Sequence, residues 1–199
     1  MSLRLTPVQK TMDQTRRGGR EVVRKRLIWL LPFLFALIVA ATGCNSGSCC
    51  DPTFEKISAP DRDFSISNFE QDRFKTAKEY DVSDLPDAVA AYMGFYTWDG
   101  PAQYELRMYP DHATALASGV SYAEEVTGED AKLRSADVRW EEGTKDRRGG
   151  GAFSGSLTPL YGDYAVVGNV IVLCEGRDSA QALERCARLL WAIGIGVEG

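Results

Sequence analysis

The chain's 199 residues, 44% hydrophobic and 26% charged, suffice for one domain with a real core and exclude a disordered or fibrous polypeptide. The net charge of −5 is unevenly spread: residues 1–26 carry eight Lys or Arg against two acids, a net +6, so the remainder carries −11. A body that acidic repels phosphate backbones, which excludes nucleic acid as the expected partner.

In chain order, the basic cluster Arg24-Lys25-Arg26 is followed by 17 uncharged positions, residues 27–43. A basic stretch, an apolar run and then small residues is the plan of a secretory signal. The run is shorter than the roughly 20 residues of a spanning helix, and Pro32 interrupts it. An uncleaved signal anchor is the alternative reading. Arg16-Arg17 does not make a twin-arginine signal, because Gly18, Gly19 and Arg20 follow where apolar residues are expected.

Ala41-Thr42-Gly43-Cys44 resembles the lipobox of bacterial lipoproteins, with Ala41 where Leu is commoner. The resemblance covers residues 24–44 and implies cleavage before Cys44, loss of residues 1–43, and acyl chains on Cys44. It also implies a domain tethered to the cell membrane or outer membrane on its extracytoplasmic side. Two or three chains, at about 0.8 kcal/mol per buried methylene, anchor stably where one would not.

Four further cysteines, Cys49, Cys50, Cys174 and Cys186, suit two disulfides in an oxidising compartment. Adjacent Cys49 and Cys50 are not expected to pair with each other. A strand-ending Cys174 and a Cys186 two turns into the next helix are expected to lie beyond the roughly 4.4–6.8 Å Cα separation of a disulfide. The expectation is therefore that Cys49 and Cys50 bond to Cys174 and Cys186.

Residues 44–65 read as a polar tether and 66–199 as a single domain. Phe64, Ile66, Phe69 and Phe74 predict a short helix or a segment laid over the core. Residues 90–98 and 104–109 flank the turn signal Asp99-Gly100-Pro101 and predict a β-hairpin. Asp111 caps a predicted helix with Leu116, Val120, Ala123 and Val126 on one face and Gly128 as its stop. Residues 133–140 predict another strand, and 141–155 a mobile loop around Gly149-Gly150-Gly151. Residues 164–167 and 170–173 are the most strand-like runs, joined through Gly168-Asn169 by either a tight hairpin or a bulge. Asp178 and Gln181 start a last helix with Leu183, Cys186, Leu190 and Ile193 in a stripe, ending near Gly194. The order implies an α+β two-layer sandwich, a mainly antiparallel sheet with two helices on one face, loosely ferredoxin-like.

No grouping predicts catalysis, a metal or a cofactor. His112, the single histidine, follows a helix cap, and no Gly-x-Ser-x-Gly motif supplies a nucleophile for it. Glu124-Glu125 and Glu141-Glu142 read as solvated pairs, and Asp61-Arg62-Asp63 lacks the glycine and later acid of a calcium loop. Two features suit contact with a ligand or an envelope protein. Tyr92, Tyr96 and Trp98 share one side of the hairpin by alternation and read either as core or as an open contact face, and Lys145, Arg147 and Arg148 precede three glycines that either wrap an anion or form a plain surface loop. The sequence thus predicts a lipid-anchored, non-catalytic binding module; the alternative is a small hydrolase-like envelope enzyme working without metal.

Overall fold

A computed structural model describes residues 54–149 and 158–195, all within the unit Cys50–Gly199. Among the described residues, eight strands and three helices follow in order. They are β1 (Ile57–Ser58), α1 (Ile66–Gln71), β2 (Lys75–Tyr80), β3 (Ala90–Trp98), β4 (Gly100–Met108), α2, β5 (Arg148–Gly149), β6 (Thr158–Pro159), β7 (Tyr161–Val167), β8 (Val170–Glu175) and α3 (Ser179–Ala192). Helix α2 is three consecutive pieces, His112–Thr114, Ala115–Gly119 and Val120–Glu124, the middle one wound as a π-helix.

Six strands form one sheet in the order β1-β7-β8-β4-β3-β2, antiparallel throughout except for the parallel pair β1 and β7. Strands β5 and β6 make a separate two-stranded ribbon. The fold is α+β, as the element order implied. The predicted hairpin is β3–β4, closed at Trp98 and Gly100, whose φ of +92° only glycine adopts freely. Gly168-Asn169 makes the tight hairpin between β7 and β8, and Gly168 has a φ of +50°.

Period-two alternation sends each strand's side chains to two faces. On the first face, Tyr104, Leu106, Met108, Val170, Val172, Ala165 and Val167 are buried under two helices, α1 through Phe69 and α3 through Ala182, Cys186, Leu189 and Leu190. Each fully buried Leu or Val contributes about 1.5–3 kcal/mol. The Asp178 carboxylate accepts from the Gln181 N–H at 2.8 Å and so starts α3. On the second face, Ile171, Leu173 and Val166 pack against α2, which presents Ala115, Ala123 and the neighbouring Val126. Asp111 caps α2 through the Thr114 N–H at 2.7 Å, and Gly128 turns the chain away at a φ of +80°.

Four expectations need correction. Cys174 and Cys186 are bonded to each other, with Cα atoms 5.6 Å apart. Helix α3 doubles back directly over β8, so two turns of helix return Cys186 to the strand it left instead of carrying it away. The pairing with Cys49 and Cys50, which lie outside the described residues, therefore falls. Residues 133–140 form no strand: the Arg139 N–H bonds the Glu125 carboxylate at 3.0 Å, and a 3₁₀ turn at Ser135–Asp137 bends the segment. Part of the expected tether belongs to the sheet, where Ile57 pairs with Val166, and Phe64 is core. In the expected mobile loop, residues 141–149 are fastened by the buried Arg147 and by β5, while 150–157 lie outside the described residues.

Candidate functional site

The polar half of the alternation in β4 has no water to face, because Trp140 and Arg147 of the segment after α2 cover that side of the sheet. Glu105 and Arg107 are both 0% exposed, and Arg147, reaching in from the segment after α2, is 1% exposed. Arg107 Nε donates to Glu105 Oε1 at 2.7 Å. Arg147 grips the same carboxylate twice, Nε to Oε2 at 2.8 Å and Nη2 to Oε1 at 3.1 Å, a two-pronged pairing that fixes its orientation. The Trp140 ring covers both guanidiniums, 5.0 Å from Arg107 and 4.6 Å from Arg147.

A second ring of contacts holds this group in place. Trp140 Nε1 donates to the Asp81 carbonyl at 3.1 Å, and Tyr80 meets the indole edge-on at 5.9 Å. The Tyr80 hydroxyl donates to Asp146 at 2.9 Å. Gln103 Nε2 donates to the Asp146 carbonyl at 2.8 Å and to the Tyr161 hydroxyl at 2.9 Å.

Two cations share one anion, and the two are not equally served. Burial pushes Glu105 upward, but Arg147 and then Arg107 outweigh it and hold the carboxyl below its ordinary value. Burial likewise opposes the charge on Arg147, yet Glu105 more than compensates and its guanidinium is raised. For Arg107 burial wins over Glu105, and the guanidinium is lowered from its ordinary value. It stays cationic, since arginine does not release its proton in proteins, and is the under-compensated member.

The hydrogen bonds agree. Arg107 Nη1 and Nη2 are buried without a partner, and so is the hydroxyl of Tyr109, two residues on along the same face. Burial pushes the Tyr109 phenol up to about 12, although the Arg107 charge pulls it down. Tyr109 sits directly under the π-helical turn of α2: a Cβ at Gly119 would lie 2.5 Å from its ring, so this approach requires glycine. Buried donors without acceptors each cost about 1–3 kcal/mol, more when charged. Such an arrangement suits the carboxylate or phosphate group of a ligand. A cleft of about 420 Å³ lies beyond, with Trp140, Arg139, Asp81, Asp84, Glu141 and Glu142 among its walls. Trp140 thus lines the cleft and also lies over both guanidiniums.

The residues expected to make contact do not converge. Tyr96 is core on the α3 face, edge-on to Tyr104 at 6.5 Å, and Tyr92 is half-buried against the same core. Trp98 is 61% exposed at the hairpin turn. Lys145 is exposed, Arg148 is half-buried with Nε donating to the Leu133 carbonyl at 2.8 Å, and Arg147 lies under Trp140 on the opposite face. Cys44 is outside the described residues. His112 Nδ1 lies 2.8 Å from the Gly168 carbonyl. Glu105, Arg107 and Trp140 were not singled out by the sequence; the signal available was two opposite charges on a strand whose neighbours are apolar.

A family model matches residues 65–194, that of a family of unknown function, DUF6810. No curated protein and no solved structure matches.

Proposed function

The chain belongs to the DUF6810 family, and from that premise we propose that it is a lipid-anchored extracytoplasmic protein whose domain is a non-catalytic binding module for a ligand with an anionic group. The observation that carries the ligand class is Arg107, a fully buried guanidinium with both Nη atoms unpartnered beside the unpartnered Tyr109 hydroxyl. A bound carboxylate or phosphate would supply the missing acceptors in a fork geometry and balance the second buried cation. The acids around the cleft disfavour polyanions, so the ligand carries one anionic group on a neutral or zwitterionic body. The signal-like residues 24–43 and Cys44 support the anchored location.

The test is thermal unfolding of the protein and of Arg107→Met against a panel of small carboxylates, phosphate monoesters and amino acids. A ligand present at 100 times its Kd stabilises by about 2.7 kcal/mol, which the wild type should show as a raised Tm. Arg107→Met should fold and show no rise. An equal rise in both proteins, or no rise with any member of the panel, overturns the assignment.

A further inference from the structure

We infer that the hairpin turn carrying Trp98, together with Arg188 and Trp191 of α3, rests in the headgroup layer of the bilayer to which the chain's N-terminus is fastened. The inference rests on the anchored reading above and concerns a different surface from the arginine site.

The residues have the chemistry of an interface. Among the described residues Trp98 is the most exposed large hydrophobic side chain, at 61%. The Arg188 guanidinium stands 5.2 Å from the Trp98 ring and 5.2 Å from the Trp191 ring, linking the hairpin turn to α3 as an indole–guanidinium–indole stack. Arg188 Nε and the Trp191 indole N–H are buried without partners inside the stack, while the Arg188 side chain as a whole is 35% exposed and its Nη2 lies 3.6 Å from the Glu184 carboxylate. Indoles favour the boundary between hydrocarbon and headgroup, where the ring is half wet, and a guanidinium matches a lipid phosphate.

The topology places these residues at the end of the sheet from which the anchor comes. Strand β1 runs parallel to β7, with Ile57 beside Val166. Along that row Val166 pairs with Ile171, Ile171 with Arg107, and Arg107 with Ala91. Stepping back along β1 therefore moves toward Asp163, Cys174 and Tyr104, and so toward Gly94 and the turn at Trp98. Lys56 confirms the direction: its Nζ is 2.6 Å from Asp163 and 4.1 Å from the centre of the Tyr164 ring. Phe54, the first described residue, thus lies toward the Trp98 end of the sheet. Nine residues lie between Cys44 and Phe54, a span of at most about 35 Å fully extended, so a lipid on Cys44 holds that end within reach of the surface. The body's −11 charge favours zwitterionic over anionic headgroups.

The test uses the full chain purified from membranes and reconstituted into phosphatidylcholine vesicles containing brominated lipid, with the N-terminal peptide weighed by mass spectrometry. Bromine near the interface should quench the fluorescence, and Trp98→Phe should remove at least half of the quenchable signal, Trp140 being buried. Arg188→Gln should lower the quenching while leaving the circular dichroism spectrum unchanged. Equal quenching in wild type and Trp98→Phe overturns the contact. An acylated Cys44 without Trp98 quenching leaves the anchor standing and the contact refuted; Trp98 quenching with an unacylated Cys44 supports the contact and refutes the lipid.

Discussion

Glu105→Gln keeps the side chain's shape, removes its charge, and leaves Arg107 and Arg147 together under Trp140 with no anion between them. Glu105 accepts three guanidinium hydrogen bonds, at 2.7, 2.8 and 3.1 Å. Gln can accept through one oxygen and presents an NH₂ to the other donor, so two like charges remain buried and one donor becomes orphaned. Breaking a buried pair in this way costs about 3–5 kcal/mol, a large part of the 5–15 kcal/mol typical of a domain. At an m-value of about 2 kcal/mol/M, the urea midpoint should fall by roughly 2 M with the slope unchanged. The acid dependence adds a second readout. Because the folded-state pKa of Glu105 is depressed, the folded protein binds fewer protons. The stabilisation is therefore fully present above the unfolded value of about 4.3 and is lost as pH falls through the folded value. The gap between wild type and variant should accordingly narrow between pH 7 and pH 3. A loss below 1 kcal/mol at pH 7, or a gap that does not change with pH, would refute the view that this carboxylate holds the two arginines.

Without ligand, Arg107→Met should be nearly neutral, because Glu105 keeps the two-pronged Arg147 as its one-to-one partner and the cation removed is the under-compensated one, and urea unfolding of the free protein checks it. Reducing Cys174–Cys186 opens a loop whose ends are 12 residues apart and should cost about 3 kcal/mol in the chain-entropy model, read as a lower Tm in reductant. Labelling cells with an alkynyl fatty acid should mark the wild type and not Cys44→Ala; equal label in both would remove the lipid from Cys44.

The parts of the fold that were legible are those where local chemistry and burial agree. The hairpin 90–108, the caps at Asp111 and Asp178, and the apolar run 161–175 each combine a turn or cap signal with a buried face. Strand β2 was not legible because Lys75-Thr76-Ala77-Lys78-Glu79 is an edge exposed on both sides, and charges there guard the edge without producing alternation. The reverse error arose at Leu133–Trp140. Leu133 and Trp140 are buried as anchors of an irregular segment, so their hydrophobicity imitates a strand that has no neighbour to pair with. The disulfide was misjudged because separation along the chain said nothing of the direction in which α3 packs back on β8.

The charged site was hidden for a related reason. Glu105-Leu106-Arg107 reads as ordinary alternation with the polar side wet, and only the cover on that side decides otherwise. That cover, running from Leu133 to Gly149, has little regular structure, and so no period in its sequence reveals it. Its hold on the sheet comes chiefly from what it covers: Arg147 bonds Glu105, and Trp140 lies across both guanidiniums while tied to the Asp81 carbonyl. Cover and site therefore form together. This also explains why Arg147 is satisfied and Arg107 is not. Folding of the segment is secured by the first, whose two-pronged bond fixes its place. The second contributes nothing to that placement through its Nη atoms, so a buried cation with free donors persists where an apolar side chain would serve stability as well. On the proposed reading those donors serve a ligand's anionic group, and the Arg107→Met binding assay measures that difference.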